Sequence, residues 1–254
     1  MKAMSQDWYK KIWSLDIKNH SWVEDTENEV DFIIHRLALS GKERILDLAC
    51  GFGRHAISFA RRGFSVTGID ITQDYIDDAL KTANSLSLNI EFICDDIRNI
   101  NYHEEFDVVL NLADGGIGYL ENDEENIKIF DVISNALKPN GKHFMDVCNA
   151  DHASMYFPKK HWEIGTNAVS FAELDWIPKM KRMLFGQWEI IFGQIACKPL
   201  ELSATSTRLY TKTELRNILR QRHMQIIGTY SNYFGKKDTF EELQLMVYSK
   251  KQMT

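Results

Sequence analysis

The chain has 254 residues, 44% of them hydrophobic and 26% charged, with 4 prolines and 14 glycines. This composition excludes a disordered or low-complexity chain and fits one large α/β domain, or such a domain carrying an insertion. A formal net charge of −6 argues against a broad nucleic-acid footprint, and no run approaches the eighteen or so apolar residues of a membrane span.

The opening run MKAMSQDWYKKIW mixes acid, base and tryptophan and lacks the apolar core of a signal peptide. Cys50, Cys94, Cys148 and Cys197 lie about fifty residues apart without a CxxC pair, so no zinc site is expected. Three of them sit in apolar strand-like runs, where free cysteine behaves as a small hydrophobe. A reducing, cytoplasmic setting is the natural expectation.

Asp25–Leu39 carries Val30, Ile33, Ile34 and Leu37 at helical spacing, with Glu27, Glu29 and Arg36 off that stripe. Arg44–Ala49 is a short apolar run with one acid, stopped by Gly51 and Gly53, and predicts a buried strand. Arg54–Arg62 predicts a helix ended by Gly63, and Phe64–Asp70 a second strand. Thr72 caps a helix running to about Leu86. Ile90–Cys94 and Phe106–Leu112 supply a third and a fourth strand. Asn122 or Asp123 caps a helix bearing Ile129, Ile133 and Leu137, which Pro139-Asn140-Gly141 ends. His143–Cys148 is a fifth strand.

Residues 151–207 change texture: three prolines, many aromatics and no helical period. Alternation around Met183–Ile191 and Gln194–Leu202 predicts antiparallel strands in an inserted β cap on the substrate side. Thr211-Lys212-Thr213-Glu214 is a capping box opening a helix. Gln225–Tyr233 and Leu243–Lys250 close the chain as two strands. The whole predicts a doubly wound, Rossmann-like, seven-stranded and mostly parallel sheet over 40–150 and 208–254. An N-terminal helical segment, 1–39, would cover it, with Trp8, Tyr9 and Trp13 as a lid.

The string Asp47-Leu48-Ala49-Cys50-Gly51-Phe52-Gly53 ends a strand, turns on two glycines and starts a helix. A ligand across the strand ends would meet the backbone of this turn. Gly51-Phe52-Gly53-Arg54-His55-Ala56 also fits the GxGxxG/A dinucleotide fingerprint, so the turn alone leaves an NAD(P)-dependent oxidoreductase open. Asp47 lies inside the apolar strand, where a buried acid needs partners; it orients the turn or meets a cationic ligand end. Asp70 ends the next strand, where a carboxylate can take both ribose hydroxyls. Asp96 ends the third strand, placed to accept from an exocyclic amine.

In this order the residues resemble the first motifs of class I S-adenosylmethionine-dependent methyltransferases. The resemblance implies that the backbone from Cys50 and Gly51 to Gly53 lies against the methionine part of S-adenosyl-L-methionine. It further implies that Asp70, with Ile71 beside it, holds the ribose and that Asp96 and Ile97 read the adenine, while Asn111 and Leu112 border the reacting centre. LDLACGFGRHA, SVTGID, Gly118-Tyr119, LKPNGK, RLYTKTEL, Trp8-Tyr9 and Thr26-x-x-Glu29 are similar to a bacterial group that methylates small molecules. In that group a hydroxyl-rich stretch precedes Gly-Tyr; here Ala113-Asp114-Gly115-Gly116-Ile117 stands instead.

Such a reaction needs positioned groups rather than a nucleophilic residue or a metal. Asp114, Asp146 and His152 are the candidates to take a proton from an acceptor nitrogen or oxygen. Asp114 equally fits a plain Asp-Gly turn, and Asp146 a buried network. Tyr9, Tyr119, Asn149 and Arg208 are the substrate-side candidates. His55 and His143 fit packing roles. A non-catalytic cofactor-binding module is the alternative of another class. The partners expected are a small-molecule acceptor, no membrane and no nucleic acid; the oligomeric state is open.

Overall fold

The computed structural model describes residues 1–19, 23–165, 168–195, 197 and 199–253. In chain order the elements are β1 (Lys2–Ala3), α1 (Thr26–Leu37), β2 (Arg44–Leu48), α2 (Arg54–Arg61), β3 (Ser65–Asp70) and α3 (Gln73–Ser85). Then come β4 (Glu91–Cys94), β5 (Phe106–Asn111), α4 (Asp123–Ala136), β6 (Leu137–Cys148), α5 (Ala150–Tyr156), β7 (Lys159–Ile164) and β8 (Ala168–Ile177). The chain closes with β9 (Arg182–Ile191), β10 (Ser203–Arg208), α6 (Lys212–Arg220), β11 (Met224–Tyr230) and β12 (Gln244–Lys251).

Strand β2 is buried on both faces because helices cover the sheet on either side. The main sheet has seven strands in the order β11-β12-β6-β5-β2-β3-β4. Strands β2 to β6 run parallel, and β12 lies antiparallel to both β6 and β11. The sheet is therefore mostly parallel, as the alternation of strand and helix predicts.

Period-two alternation sorts the side chains onto two faces. Leu46, Leu48, Val109, Met145 and Val147 pack toward Phe130 of α4 and Leu215 of α6. Ile45, Val108, Leu110, Phe144 and Met246 pack toward Val30 and Ile33 of α1 and Phe59 of α2. By the same alternation Asp47, two residues after Ile45, and Asp146, two after Phe144, turn toward the α1–α2 face.

The second sheet has the order β1-β10-β9-β8-β7. Its hairpins are antiparallel, and the N-terminal β1 joins β10 in parallel. A small core of Ala150, Ala153, Leu174, Met183 and Leu209 seats it on α5.

Four expectations need correction. Gln194–Leu202 forms no strand among its described residues; β9 pairs with β10 instead, because the polar alternation of Ser203–Arg208 buries Ala204, Ser206 and Arg208. Leu137 begins β6 rather than ending a helix, and Pro139-Asn140-Gly141 sits inside that strand with Asn140 at φ 64°. The pairing of β5 with β6 shifts register there to absorb the turn. Ahead of α1, the part of the N-terminal segment that holds Trp8, Tyr9 and Trp13 forms two 3₁₀ turns, Trp8–Lys10 and Leu15–Asn19, rather than a helix. Cys94 is exposed at the end of the edge strand β4.

Among the described residues no helix is long and apolar enough to cross a membrane.

Candidate functional site

A cavity of about 660 Å³ opens where β2, β3, β5 and β6 end, within the range of roughly 300–1,000 Å³ usual for small-molecule sites. In an open α/β sheet this carboxyl edge is where ligands bind. Asp47, Cys50, Gly51, Asp70, Ile71, Asp96, Ile97 and Leu112 all line it, as do Asp114, Asp146, Tyr9 and Tyr119.

The glycine turn is built by Asp70. Its Oδ2 accepts the Gly51 N–H at 2.9 Å and its Oδ1 the Thr72 N–H at 2.8 Å. Burial raises its pKa, while those two amides oppose the shift. Gly51 has φ 56°, the left-handed region that favours glycine. Gly53 plays a different part. It does not line the cavity; a Cβ there would meet the Phe92 ring at 2.8 Å, so this glycine lets α2 close against the sheet.

Asp47 is buried, and its Oδ2 has no hydrogen-bond partner. Burial lifts its pKa to about 7, opposed by Arg54 and aided by Asp70. Asp96 is gripped by Arg98, with Nε–Oδ1 at 2.9 Å and Nη2–Oδ2 at 2.5 Å. These bonds outweigh burial and hold its pKa below the usual carboxylate value. Arg98 also reaches Glu125 of α4 at 2.5 Å. A guanidinium two residues past the acid carried no separate signal in the sequence.

Asn111 is fully buried and does not line the cavity, although Leu112 beside it does. Its Nδ2 donates to the Gly115 carbonyl at 3.0 Å, bracing a run in which Ala113, Asp114, Gly115 and Gly116 all have positive φ. This left-handed loop projects Asp114 into the cavity wall. The Asp114 N–H donates to the Asp146 carbonyl at 2.8 Å, and Asp114 Oδ1 accepts the Cys148 N–H at 3.2 Å. Burial pushes the Asp114 pKa up to about 6. Asp146 Oδ2 accepts the Tyr233 hydroxyl at 3.0 Å while its Oδ1 has no partner. Burial, then the Asp114 charge, raise the Asp146 pKa to about 8.

Opposite lies a network from α1 and α2. Glu29 Oε2 accepts Arg54 Nη1 at 2.5 Å and His55 Nε2 at 2.6 Å. Burial holds His55 down at about 4, so the neutral ring donates to Glu29. Hydrogen bonds from His55 and Arg54, with the Arg54 charge, outweigh burial and keep the Glu29 pKa low. Glu29 lies off the apolar stripe of α1 and yet is buried, because the network, rather than solvent, satisfies it.

Aromatic residues close the top. Trp8 is buried against Tyr119 with ring centroids 4.8 Å apart, and Trp13 stacks on Tyr119 at 6.1 Å. The Tyr75 hydroxyl donates to the Ser14 carbonyl at 3.0 Å, and Lys18 pairs with Asp78 at 2.7 Å, so the N-terminal segment is tied to α3.

Three expected residues are elsewhere. His152 does not line the cavity; its Nδ1 lies 3.1 Å from the Phe240 carbonyl and its ring packs on Tyr156. Asn149 caps α5, accepting the Asp151 N–H at 2.9 Å, and lines a smaller hollow beside it. Arg208 points into its own network, pairing with Glu214 at 2.7 Å and lying 4.4 Å over the Tyr210 ring. A strand-end position predicted nearness to the site for all three, but each side chain turns away into local packing.

Residues 45–141 match the family of methyltransferase domains. Over that stretch the chain is similar to methyltransferase domains. The solved structures it resembles extend that fold over nearly the whole chain. An S-adenosylmethionine-dependent methyltransferase from Clostridium acetobutylicum superposes with a TM-score of 0.76 at 19% identity, covering 93% of this chain and 97% of that one. The CcbJ methyltransferase of Streptomyces caelestis gives 0.76 at 15%, covering 95% and 100%. YqeM of Bacillus subtilis, a methyltransferase in name, is 33% identical over 157 residues, 59% of this chain and 63% of that protein. A ubiquinone biosynthesis O-methyltransferase of Coxiella burnetii is 27% identical over 189 residues, 73% of this chain and 75% of that one. The match thus spans less than two thirds of YqeM. Within residues 45–141 the glycine turn and Asp70 occupy the first two strand ends, and the Asp114 loop lies at the fourth.

Proposed function

We propose that this chain transfers the methyl group of S-adenosyl-L-methionine to a nitrogen or oxygen of a small molecule, releasing S-adenosyl-L-homocysteine. The observation that carries this reading is the orphaned Oδ2 of Asp47, a buried carboxylate oxygen beside the glycine turn in a cavity lined by acids. A buried acid without a partner is costly, and a ligand with positive charge relieves that cost.

The residues present fit the methyl donor. Asp47 and the backbone near Gly51 would hold its methionine end, Asp70 the ribose, and Asp96 with Ile97 the adenine. When bound, the donor supplies an electrophilic methyl on a sulfonium. The chain's own contribution is to orient the acceptor, exclude water beneath Trp8, Trp13 and Tyr119, and hold a carboxylate for the acceptor's proton. Asp114 and Asp146 fill that last role; His152, outside the cavity, does not. Glu29, Arg54 and His55 fix the wall of α1. Residues 1–39 act as the cover, and residues 151–207 as the substrate-side cap. The cytoplasm is the proposed setting.

The test is incubation of the purified chain with S-adenosyl-L-methionine and a panel of small amines, hydroxy acids and phenols, with mass detection. A gain of one methyl with release of S-adenosyl-L-homocysteine supports the reading. Tight binding without turnover of any acceptor would instead make the chain a cofactor-binding module.

A further inference from the structure

The cavity holds more acid than the methyl donor uses. Asp47 and Asp70 lie near the ends of β2 and β3, whereas Asp114 follows β5, the strand beside β2 on its other edge, and Asp146 lies near the end of β6, one strand further out. Asp146 is 5% exposed, and its Oδ1 is buried and has no hydrogen-bond partner. The Tyr233 hydroxyl occupies the other oxygen, so only one direction remains for a ligand. The Asp114 amide and the Asp146 carbonyl lock the two residues together at 2.8 Å. The cations of the cavity are engaged elsewhere: Arg54 with Glu29, Arg98 with Asp96 and Glu125.

Resting on the methyltransferase reading above, we propose that the acceptor is a primary or secondary amine, held as its ammonium form by Asp114 and Asp146, with Asp146 Oδ1 taking the proton. An ammonium supplies N–H donors to the acceptor oxygens of the pair, and its charge favours the ionised form of both acids. A carboxylate acceptor would be repelled by the pair, and an alcohol would bring no positive charge to hold the pair ionised. The stacked Trp13 and Tyr119 rings add an aromatic face of the kind that favours cations. Burial and mutual charge make Asp146 a strong base for a carboxylate, which suits a group that must accept a proton from an ammonium. The step balances: Asp146 removes one N–H proton, the freed nitrogen lone pair forms the N–C bond, and the S–C pair leaves on the sulfur of the sulfonium donor. Unlike Asp47, which serves the donor's own charge, this pair reads the acceptor.

The test is calorimetry on the full chain saturated with S-adenosyl-L-homocysteine, using the matched sets benzylamine, benzyl alcohol and benzoate, and cyclohexylamine, cyclohexanol and cyclohexanecarboxylate. At least one amine should bind about tenfold or more tightly than its matched alcohol and acid, the scale for a charged hydrogen bond. Asp146→Asn should erase that preference while leaving S-adenosyl-L-homocysteine affinity unchanged; if that variant fails to fold, Asp114→Asn reports instead. No amine preference in either set, or a preference that survives in the folded variant, overturns the amine proposal. Failure of the wild-type chain to bind S-adenosyl-L-homocysteine at all would overturn the methyltransferase reading itself.

Discussion

Asp70 and Gly51 are joined by a 2.9 Å hydrogen bond from the glycine amide to the carboxylate, which ties the end of β3 to the turn that follows β2. The same acid holds the Thr72 amide at the start of α3. One side chain thus shapes the turn and presents its remaining lone pairs to a ligand. Asp70→Ala should weaken S-adenosyl-L-methionine binding by at least about tenfold in calorimetry, the scale for losing a charged acceptor. Unchanged affinity would show that the ribose lies elsewhere.

Gly51 and Gly53 separate ligand approach from packing. Gly53→Ala forces a Cβ to 2.8 Å from the Phe92 ring at φ 76° and should cost roughly 1–3 kcal/mol in urea denaturation. Gly51→Ala has only Tyr75, at 3.9 Å, near its Cβ, and so pays backbone strain alone, about 1 kcal/mol or slightly more. Its larger effect should appear in cofactor affinity.

The buried acids predict a falling stability at alkaline pH. Asp146 has a folded pKa near 8, far above the unfolded value of about 3.9. The folded chain therefore binds its proton more tightly, and this stabilisation is complete below about pH 4 and lost as pH rises through about 8. His55 and His143, held by burial at about 4 and about 3, work in the opposite direction below about pH 6.5. The useful window is thus about pH 7 to 8.5. Across it the urea midpoint of the ligand-free chain should decline, and Asp146→Asn should flatten the decline. An equal slope in both proteins would remove Asp146 as its source.

His152→Ala should leave kcat/KM within about twofold, because the ring contacts Phe240, Tyr156 and Phe157 rather than the cavity. A stability loss of about 1 kcal/mol is expected from the missing hydrogen bond. A fall in kcat/KM of a hundredfold, with cofactor affinity intact, would bring His152 back into the chemistry.

Much of this architecture was legible because its signals are local. The strand from Arg44, the glycine turn, and Asp70 and Asp96 at successive strand ends follow from apolar runs punctuated by glycine and acid. Asp114 and Asp146 were visible as acids out of place among glycines and apolar residues. What stayed hidden depends on partners distant in the chain. Nothing near Glu29 announces that Arg54 and His55 will bury it, and nothing near Asp146 points to Tyr233. Arg208 and His152 misled because proximity to a strand end fixes the backbone and leaves the side-chain direction to tertiary packing. β1 was missed since two residues have no period to read, and they are strand only because β10 is there to pair.

The most direct measurement is a calorimetric titration of the purified chain with S-adenosyl-L-methionine, with Asp70→Ala and Asp47→Asn in parallel. The expected result is saturable binding of one ligand per chain, weakened at least about tenfold in each variant. No binding by the wild-type chain at millimolar ligand, or wild-type affinity in both variants, would contradict the assignment of the glycine turn to the methyl donor.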